Sequence, residues 1–187
     1  MLYLVNIKNN YYTYQMRLIV DLLGKREKDL FLKIDLISDP ELIISDSYYW
    51  TVFLEIGDEN FENLSEKVIM QLISIEIIKY WKTTIEKMKL NEIKHLPVDL
   101  SDEYVLFFKI MKTEKGFKMQ KILTQEYSGW NLSKHELLKD FELKSIDSIE
   151  NEFFISEHVI YDGLNWSLAQ IKTLLINPTT YSKFKAN

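Results

Sequence analysis

The hydrophobic period of this chain changes partway along its length, and that change limits the possible folds more than any motif does. Tyr12, Tyr14, Met16, Leu18, Val20 and Leu22 share one side of an alternation, with Thr13, Gln15, Arg17 and Asp21 on the other. Beyond the turn Gly24-Lys25-Arg26-Glu27, Leu30, Leu32, Ile34 and Leu36 repeat it, opposite Lys33 and Asp35. Tyr48 to Ile56 repeats it again through Trp50, Val52, Leu54 and Ile56, ending at Gly57-Asp58. Period two over three segments predicts antiparallel strands with one buried face. From Val68 to Ile78 apolar residues instead surround the helical wheel. They then narrow to the stripe Ile77, Trp81, Ile85 and Met88, with Lys79, Lys82, Glu86 and Lys89 outward. This predicts a long helix, capped by Asn63 or Ser65 and running to about Met88, whose first half is buried on most sides.

The remainder alternates between short strands and short helices. Pro97 disfavours helical backbone before it, so His95-Leu96-Pro97-Val98 is expected to be extended. Tyr104 to Met111 is nearly all apolar, as a central strand is, and Glu114-Lys115-Gly116 turns it into Phe117 to Glu126. Ser133-Lys134-His135-Glu136 is a capping box for a short helix through about Phe141. Phe153-Phe154-Ile155 reads as a strand. Ser156 starts a helical turn expected to break at Asp162-Gly163, and a last helix capped by Asn165 or Ser167 runs to Ile176, stopped by Pro178. All five glycines fall at predicted turns. The pattern predicts one α+β domain over residues 1–187. An antiparallel sheet of N-terminal strands and a later hairpin packs against one long central helix and shorter C-terminal helices.

Composition excludes several functions. Hydrophobic residues make up 47% of the chain, enough for a substantial core, and five glycines and three prolines leave little for disordered linkers. No cysteine is present, which removes disulfides, a thiol nucleophile and Cys-ligated zinc. A net charge of −5 argues against nucleic-acid and anionic-membrane binding, both of which use clustered Lys and Arg. Met1 to Ile7 is apolar but lacks the basic flank of a signal peptide, and no run approaches the ~18 apolar residues of a membrane span. A cytoplasmic protein is therefore expected.

Catalytic motifs are scarce. The sequence holds no Gly-rich phosphate loop, no Gly-x-Ser-x-Gly and no His-Glu-x-x-His. His95, His135 and His158 lie on separate elements at no ligand spacing, so neither a metal nor another cofactor is expected. Asp99, Asp102 and Glu103 could be drawn as a nuclease-like metal cluster, but no Glu-x-Lys follows suitably on an adjacent strand, and a solvated loop is the favoured reading.

Charge is distributed unevenly. Between Asp35 and Glu66 stand nine acids and no Lys or Arg, while the rest of the chain holds 19 acids and 23 bases, a net of +4. Two segments, Ser38–Ser47 and Gly57–Asn63, are read as acidic loops flanking the Tyr48-Tyr49-Trp50 strand. One reading is solubility and protection of a sheet edge. The other is an acidic, aromatic-edged surface for a basic partner, speeding encounter and excluding wrong partners, with aromatic anchors. Its candidate residues are Asp39, Glu41, Asp46, Tyr49, Asp58, Glu59 and Glu62. Trp130, after Ser128-Gly129, is a second candidate anchor, unless it packs over the following helix as a staple.

Leu64-Ser65-Glu66-Lys67-Val68-Ile69 is echoed by Ile155-Ser156-Glu157-His158-Val159-Ile160. The echo is read as one capping solution at two junctions into helices, with the Ser hydroxyl accepting backbone N–H groups and Glu at the positive helix end. Three motifs follow in order: Asn63-Leu64-Ser65-Glu66-Lys67-Val68, then Ile93-Lys94-His95-Leu96-Pro97-Val98 before Tyr104-Val105-Leu106, then Phe153-Phe154-Ile155-Ser156-Glu157. This order resembles the immunity protein 11 group, close to the immunity protein 43 group, which shows a Ser-Glu-Lys helix start, a Leu-Pro-Val exit and a later Phe-x-Ser-Glu helix start. The resemblance covers Phe61 to Leu174. The chain departs from the pattern in its longer central helix and in the expected break at Asp162-Gly163. The resemblance implies a non-enzymatic α+β protein, encoded beside a bacterial polymorphic toxin, that binds and neutralises that cognate toxin; it carries over no catalytic residue. Two other readings are a metal-dependent nuclease or other hydrolase using the carboxylates of Asp99–Glu103 or Asp58–Glu62, and a structural or phage-encoded adaptor self-associating through a sheet edge.

Overall fold

The computed structural model describes residues 29–34, 41–57, 61–137, 143, 147–148 and 152–174. The predicted first strand, Tyr12 to Leu22, lies outside them, as do Leu36, Ile176 and Pro178. The fold class is α+β.

Two strands, β1 (Asp29–Ile34) and β2 (Glu41–Asp46), form an antiparallel pair with Leu32 opposite Ile43. β1 is where alternation placed it. β2 falls in the segment read as a loop, where Ser45-Asp46-Ser47 hid the apolar stretch Leu42-Ile43-Ile44. The expected strand over Tyr48 to Ile56 is instead helix α1 (Ser47–Leu54). Nearly every residue there is apolar, so periods two and 3.6 fit equally, and the buried set is Trp50, Phe53 and Leu54, spaced i, i+3, i+4. A left-handed Glu55 (φ 57) ends the helix, with Ile56 N–H donating to the Thr51 carbonyl and Glu55 N–H to that of Val52. This is the Schellman arrangement, and the apolar residue it requires after the cap is the buried Ile56.

Helix α2 (Glu66–Lys87) is the centre of the molecule. Met70, Leu72, Ile73, Ile75, Ile77, Ile78, Trp81 and Ile85 are all buried, and so are Gln71 and Ser74, as the all-round apolar pattern predicts. The Ser74 hydroxyl donates back to the Met70 carbonyl at 2.7 Å, so its burial leaves no donor unpaired. Ser65 stands at the N-cap, but its hydroxyl makes no capping bond. Its carbonyl accepts from Val68 and Ile69 instead. Asn63 is left-handed (φ 63) and shapes the approach to the helix.

The main sheet runs β3 (Ile93–Leu100), β4 (Val105–Thr113), β5 (Gly116–Thr124), with β6 (Asp147–Ser148) and β7 (Phe153–Ser156) pairing successive stretches of the far side of β5. All pairings are antiparallel. The N-terminal strands thus form a sheet separate from that of the later hairpin, although β2 runs close to β3. Pro97 lies at an irregularity in the β3–β4 register, where a residue without N–H costs no ladder bond. Its carbonyl accepts the buried Trp81 indole N–H at 3.0 Å and so fastens α2 to the sheet. Gly116 (φ 152) closes the β4–β5 turn, and a Cβ there would lie 2.3 Å from the Ile155 carbonyl oxygen. Only glycine gives the turn its backbone and lets β7 approach.

Short helix α3 (Lys134–Leu137) follows the Ser133 box, and helix α4 (Glu157–Leu174) follows β7 directly. The break expected at Asp162-Gly163 is absent: Gly163 lies inside α4, where its carbonyl accepts the Ser167 hydroxyl at 2.9 Å. The surrounding apolar residues Ile160, Leu164 and Ile171 are buried, and this tertiary burial outweighs the glycine's helix penalty of ~1 kcal/mol. Asn165, expected as a cap, accepts from Lys82 of α2 at 2.9 Å. Among the described residues, no helix is long and apolar enough to cross a membrane.

Two stability tests follow. Trp81→Phe keeps most of the ring but strands the Pro97 carbonyl, and should lower unfolding free energy by about 1–3 kcal/mol in urea titration; no change would show that the bond does not couple helix to sheet. Burial, with Lys109 and Lys94 nearby, lowers the His95 pKa from 6.5 to about 4. Between those values the unfolded chain takes a proton that the folded one refuses. Stability is therefore whole above pH 6.5 and falls as pH drops towards 4, by about 3 kcal/mol. In His95→Gln that part of the slope should vanish; an unaltered slope would assign it to other groups.

Candidate functional site

The described aromatic residues most exposed to solvent meet at one place. α1 begins with Tyr48 and Tyr49 on its first turn, which lifts both rings off the buried side occupied by Trp50 and Phe53. Tyr48 is 51% exposed and Trp130 56% exposed, with Tyr49 half-buried between protein and solvent. The three rings pack edge to face: centroids are 5.8 Å apart for Tyr48–Tyr49, 5.2 Å for Tyr48–Trp130 and 5.4 Å for Tyr49–Trp130. Such geometry suits the ring quadrupoles.

Two loops hold this cluster. In the β3–β4 connection the Ser101 hydroxyl receives the backbone N–H groups of Glu103 and Tyr104, which bends the chain and presents Asp102. In the loop after β5, the Asn131 side chain accepts from Ser128 N–H at 2.8 Å, and the Ser128 carbonyl accepts from Asn131 and Leu132. Gly129 N–H donates to the Ser101 carbonyl at 2.7 Å and joins the loops. Tyr49 lies flat on Gly129, where a Cβ would sit 2.5 Å from the ring. A single oxygen, Asp102 Oδ1, accepts both the Tyr49 hydroxyl and the Trp130 indole N–H, the latter at 2.6 Å. These two donors, Tyr49 first, hold the Asp102 carboxyl below the ordinary aspartate pKa. Asp102 is therefore a charged, oriented group at the edge of an aromatic surface.

The sequence-derived candidates divide accordingly. Tyr49 and Trp130 come together. Trp130 packs on the rings of α1, and its indole N–H is taken by Asp102. Glu41 and Asp46 occupy the two ends of β2, the strand leading into α1. Glu62 is exposed in the turn before α2, on a different element. Asp39, Asp58 and Glu59 lie outside the described residues. Glu55 is compensated: Lys134 stands 3.4 Å and His135 3.1 Å from its Oε2, and Lys134 also donates to the Leu54 carbonyl at the end of α1. The acidic stretch is thus partly neutralised at the C-terminal end of α1, while the aromatic end carries Asp102 and the exposed Glu103.

Sequence reading did not assign Asp102 to this site. It lies 53 residues from Tyr49 and 28 from Trp130, and nothing local marks the pairing. The one usable signal is Gly129 beside Trp130, a residue small enough to admit a ring. Asp99, which spacing grouped with Asp102, is buried and accepts the Tyr104 hydroxyl at 3.1 Å, so the two carboxylates serve different tyrosines. Among the described residues, no group of three or more His, Asp or Glu is placed to hold a metal ion.

Gly129→Ala should displace Tyr49 and separate it from Asp102. A loss of about 1–3 kcal/mol in stability is expected, with a shift of the Trp130 indole N–H resonance. An unmoved resonance would show that the Tyr49 contact does not order the cluster.

No protein-family model, no curated protein and no solved structure matches the chain.

Proposed function

We propose that this protein is an immunity protein: it binds a cognate bacterial toxin and neutralises it through a protein–protein interface that includes the Tyr48–Tyr49–Trp130 surface. The observation that carries the reading is the exposure of two large aromatic side chains, Trp130, whose indole N–H is bonded to Asp102, and Tyr48, which packs edge to face on Trp130 and Tyr49. Ordered Tyr and Trp rings are the residues that dominate binding energy at interfaces, because they bury much area at little entropic cost. The acid-rich stretch from Asp35 to Glu66, with Asp102 and Glu103 added by the fold, supplies a field that attracts a basic toxin surface.

The resemblance to the immunity protein 11 and 43 groups supports the same reading. The continuity of α4 agrees with the uninterrupted second helix of that pattern. The commitment of Asp99 and Asp102 to tyrosine partners favours binding over hydrolysis by the Asp99–Glu103 carboxylates. The protein is expected to act in the cytoplasm, where the toxin would otherwise reach its target.

The test is co-expression with the product of a toxin gene encoded immediately upstream. The wild-type chain should restore growth and bind the purified toxin. Tyr48→Ala and Trp130→Ala should each weaken binding by about 30-fold or more, as truncated hot spots do, with circular dichroism unchanged. Cells left unprotected by the wild-type chain would overturn the reading. Full-strength binding by both variants would move the interface elsewhere.

A further inference from the structure

Resting on that reading, we infer that the Trp130–Tyr48–Asp102 surface is a receptor for one arginine side chain of the partner, whose guanidinium stacks on the aromatic faces and donates to the Asp102 carboxylate.

Three observations select this occupant. The first is the hydrogen-bond arrangement. Both protein donors reach Asp102 through Oδ1, so Oδ2 takes neither bond and keeps its accepting capacity at an exposed edge. The second is ring placement. The ring centroids lie only 5.2–5.8 Å apart, so no cation fits between them as in an aromatic cage. What remains is the outward surface of Trp130 and Tyr48, more than half exposed, which suits a planar group laid on top. A guanidinium is planar, weakly hydrated and carries five donors in a fixed fork, so it lies flat on a ring while donating in its own plane; a compact, strongly hydrated ammonium matches a flat ring face less well. The third is sign. The indole N–H is already used by Asp102, leaving the site no unused donor on that ring. Asp102 and the neighbouring Glu103 make the surroundings accept cations rather than anions.

A neutral sugar could also stack on Trp130 and donate hydroxyls to Asp102. The charge argument disfavours it, since a neutral ligand gains nothing from the acids that surround the site.

The probe is N-acetyl-arginine amide, read by the four Trp indole N–H signals in a nitrogen–proton correlation spectrum, with Trp130 assigned through Trp130→Phe. Titration should move the Trp130 signal saturably at millimolar concentration, leaving those of the buried Trp50 and Trp81 in place. The neutral isostere N-acetyl-citrulline amide should bind about tenfold more weakly or not at all, and N-acetyl-lysine amide more weakly than arginine. Asp102→Asn keeps an acceptor for Tyr49 and Trp130 but removes the charge, and should cost about tenfold in arginine affinity while the chain stays folded with only a small drop in melting temperature. Equal binding of arginine and citrulline amides, no Trp130 shift, or a stronger response to a glucose oligomer would each overturn the inference. Toxin protection is scored separately. If the wild-type chain protects cells but ignores arginine, the receptor fails and the immunity reading stands; if it binds arginine but does not protect, the immunity reading fails alone.

Discussion

A helix that is apolar on every side for three turns must be surrounded, and the arrangement of this molecule follows from surrounding α2. Residues 70–75, 77 and 78 have almost no accessible surface, so α2 needs neighbours in several directions at once. α1 packs against it through Phe53 and Tyr80, whose rings meet edge to face at 5.2 Å. Burial there pushes the Tyr80 pKa up to about 12. α4 is tied to it by the Lys82–Asn165 bond, and the sheet by the Trp81–Pro97 bond. Of these neighbours α1, at eight residues, is too short to hold its shape alone in water.

The exposed aromatic cluster is a by-product of that packing. α1 turns Trp50 and Phe53 inward, and helical geometry then leaves Tyr48 and Tyr49 at its free end. The β3–β4 connection and the loop after β5 emerge at the same end because their strands are antiparallel neighbours of one sheet. Ser101 and Gly129 join the loops through a backbone bond. The result is a rigid aromatic group whose ordering cost is met during folding, which lowers the cost of binding.

The elements legible in the sequence were those with a strong, unambiguous period or a sharp stop. Alternation located β1. The change from all-round to striped burial located α2. Pro97 and the Glu114-Lys115-Gly116 turn placed β3 to β5. Besides β2, which the polar run Ser45-Asp46-Ser47 disguised as a loop, three features were hidden. The segment from Ser47 to Leu54 is so uniformly apolar that its period carries no information, and burial on α2 decides for helix. Gly163 reads as a break in isolation but is held helical by Ile160, Leu164 and Ile171. Asp102 acquires its role only through contacts 28 and 53 residues distant, which no local pattern encodes. Tyr49 and Trp130 could be singled out as candidate anchors. Their meeting around one carboxylate belongs to the tertiary structure.

The proposed toxin contact lies at the N-terminal end of α1. Hydrogen–deuterium exchange of the chain, alone and mixed with the product of a toxin gene encoded immediately upstream, distinguishes that end from the rest of the surface. Slowed exchange on binding is expected at residues 47–51, 101–104 and 128–132, with the far end of the sheet around Gly116 and Phe154 unchanged. Protection confined to that far end, with the Tyr48–Trp130 region exchanging as in the free protein, would contradict it.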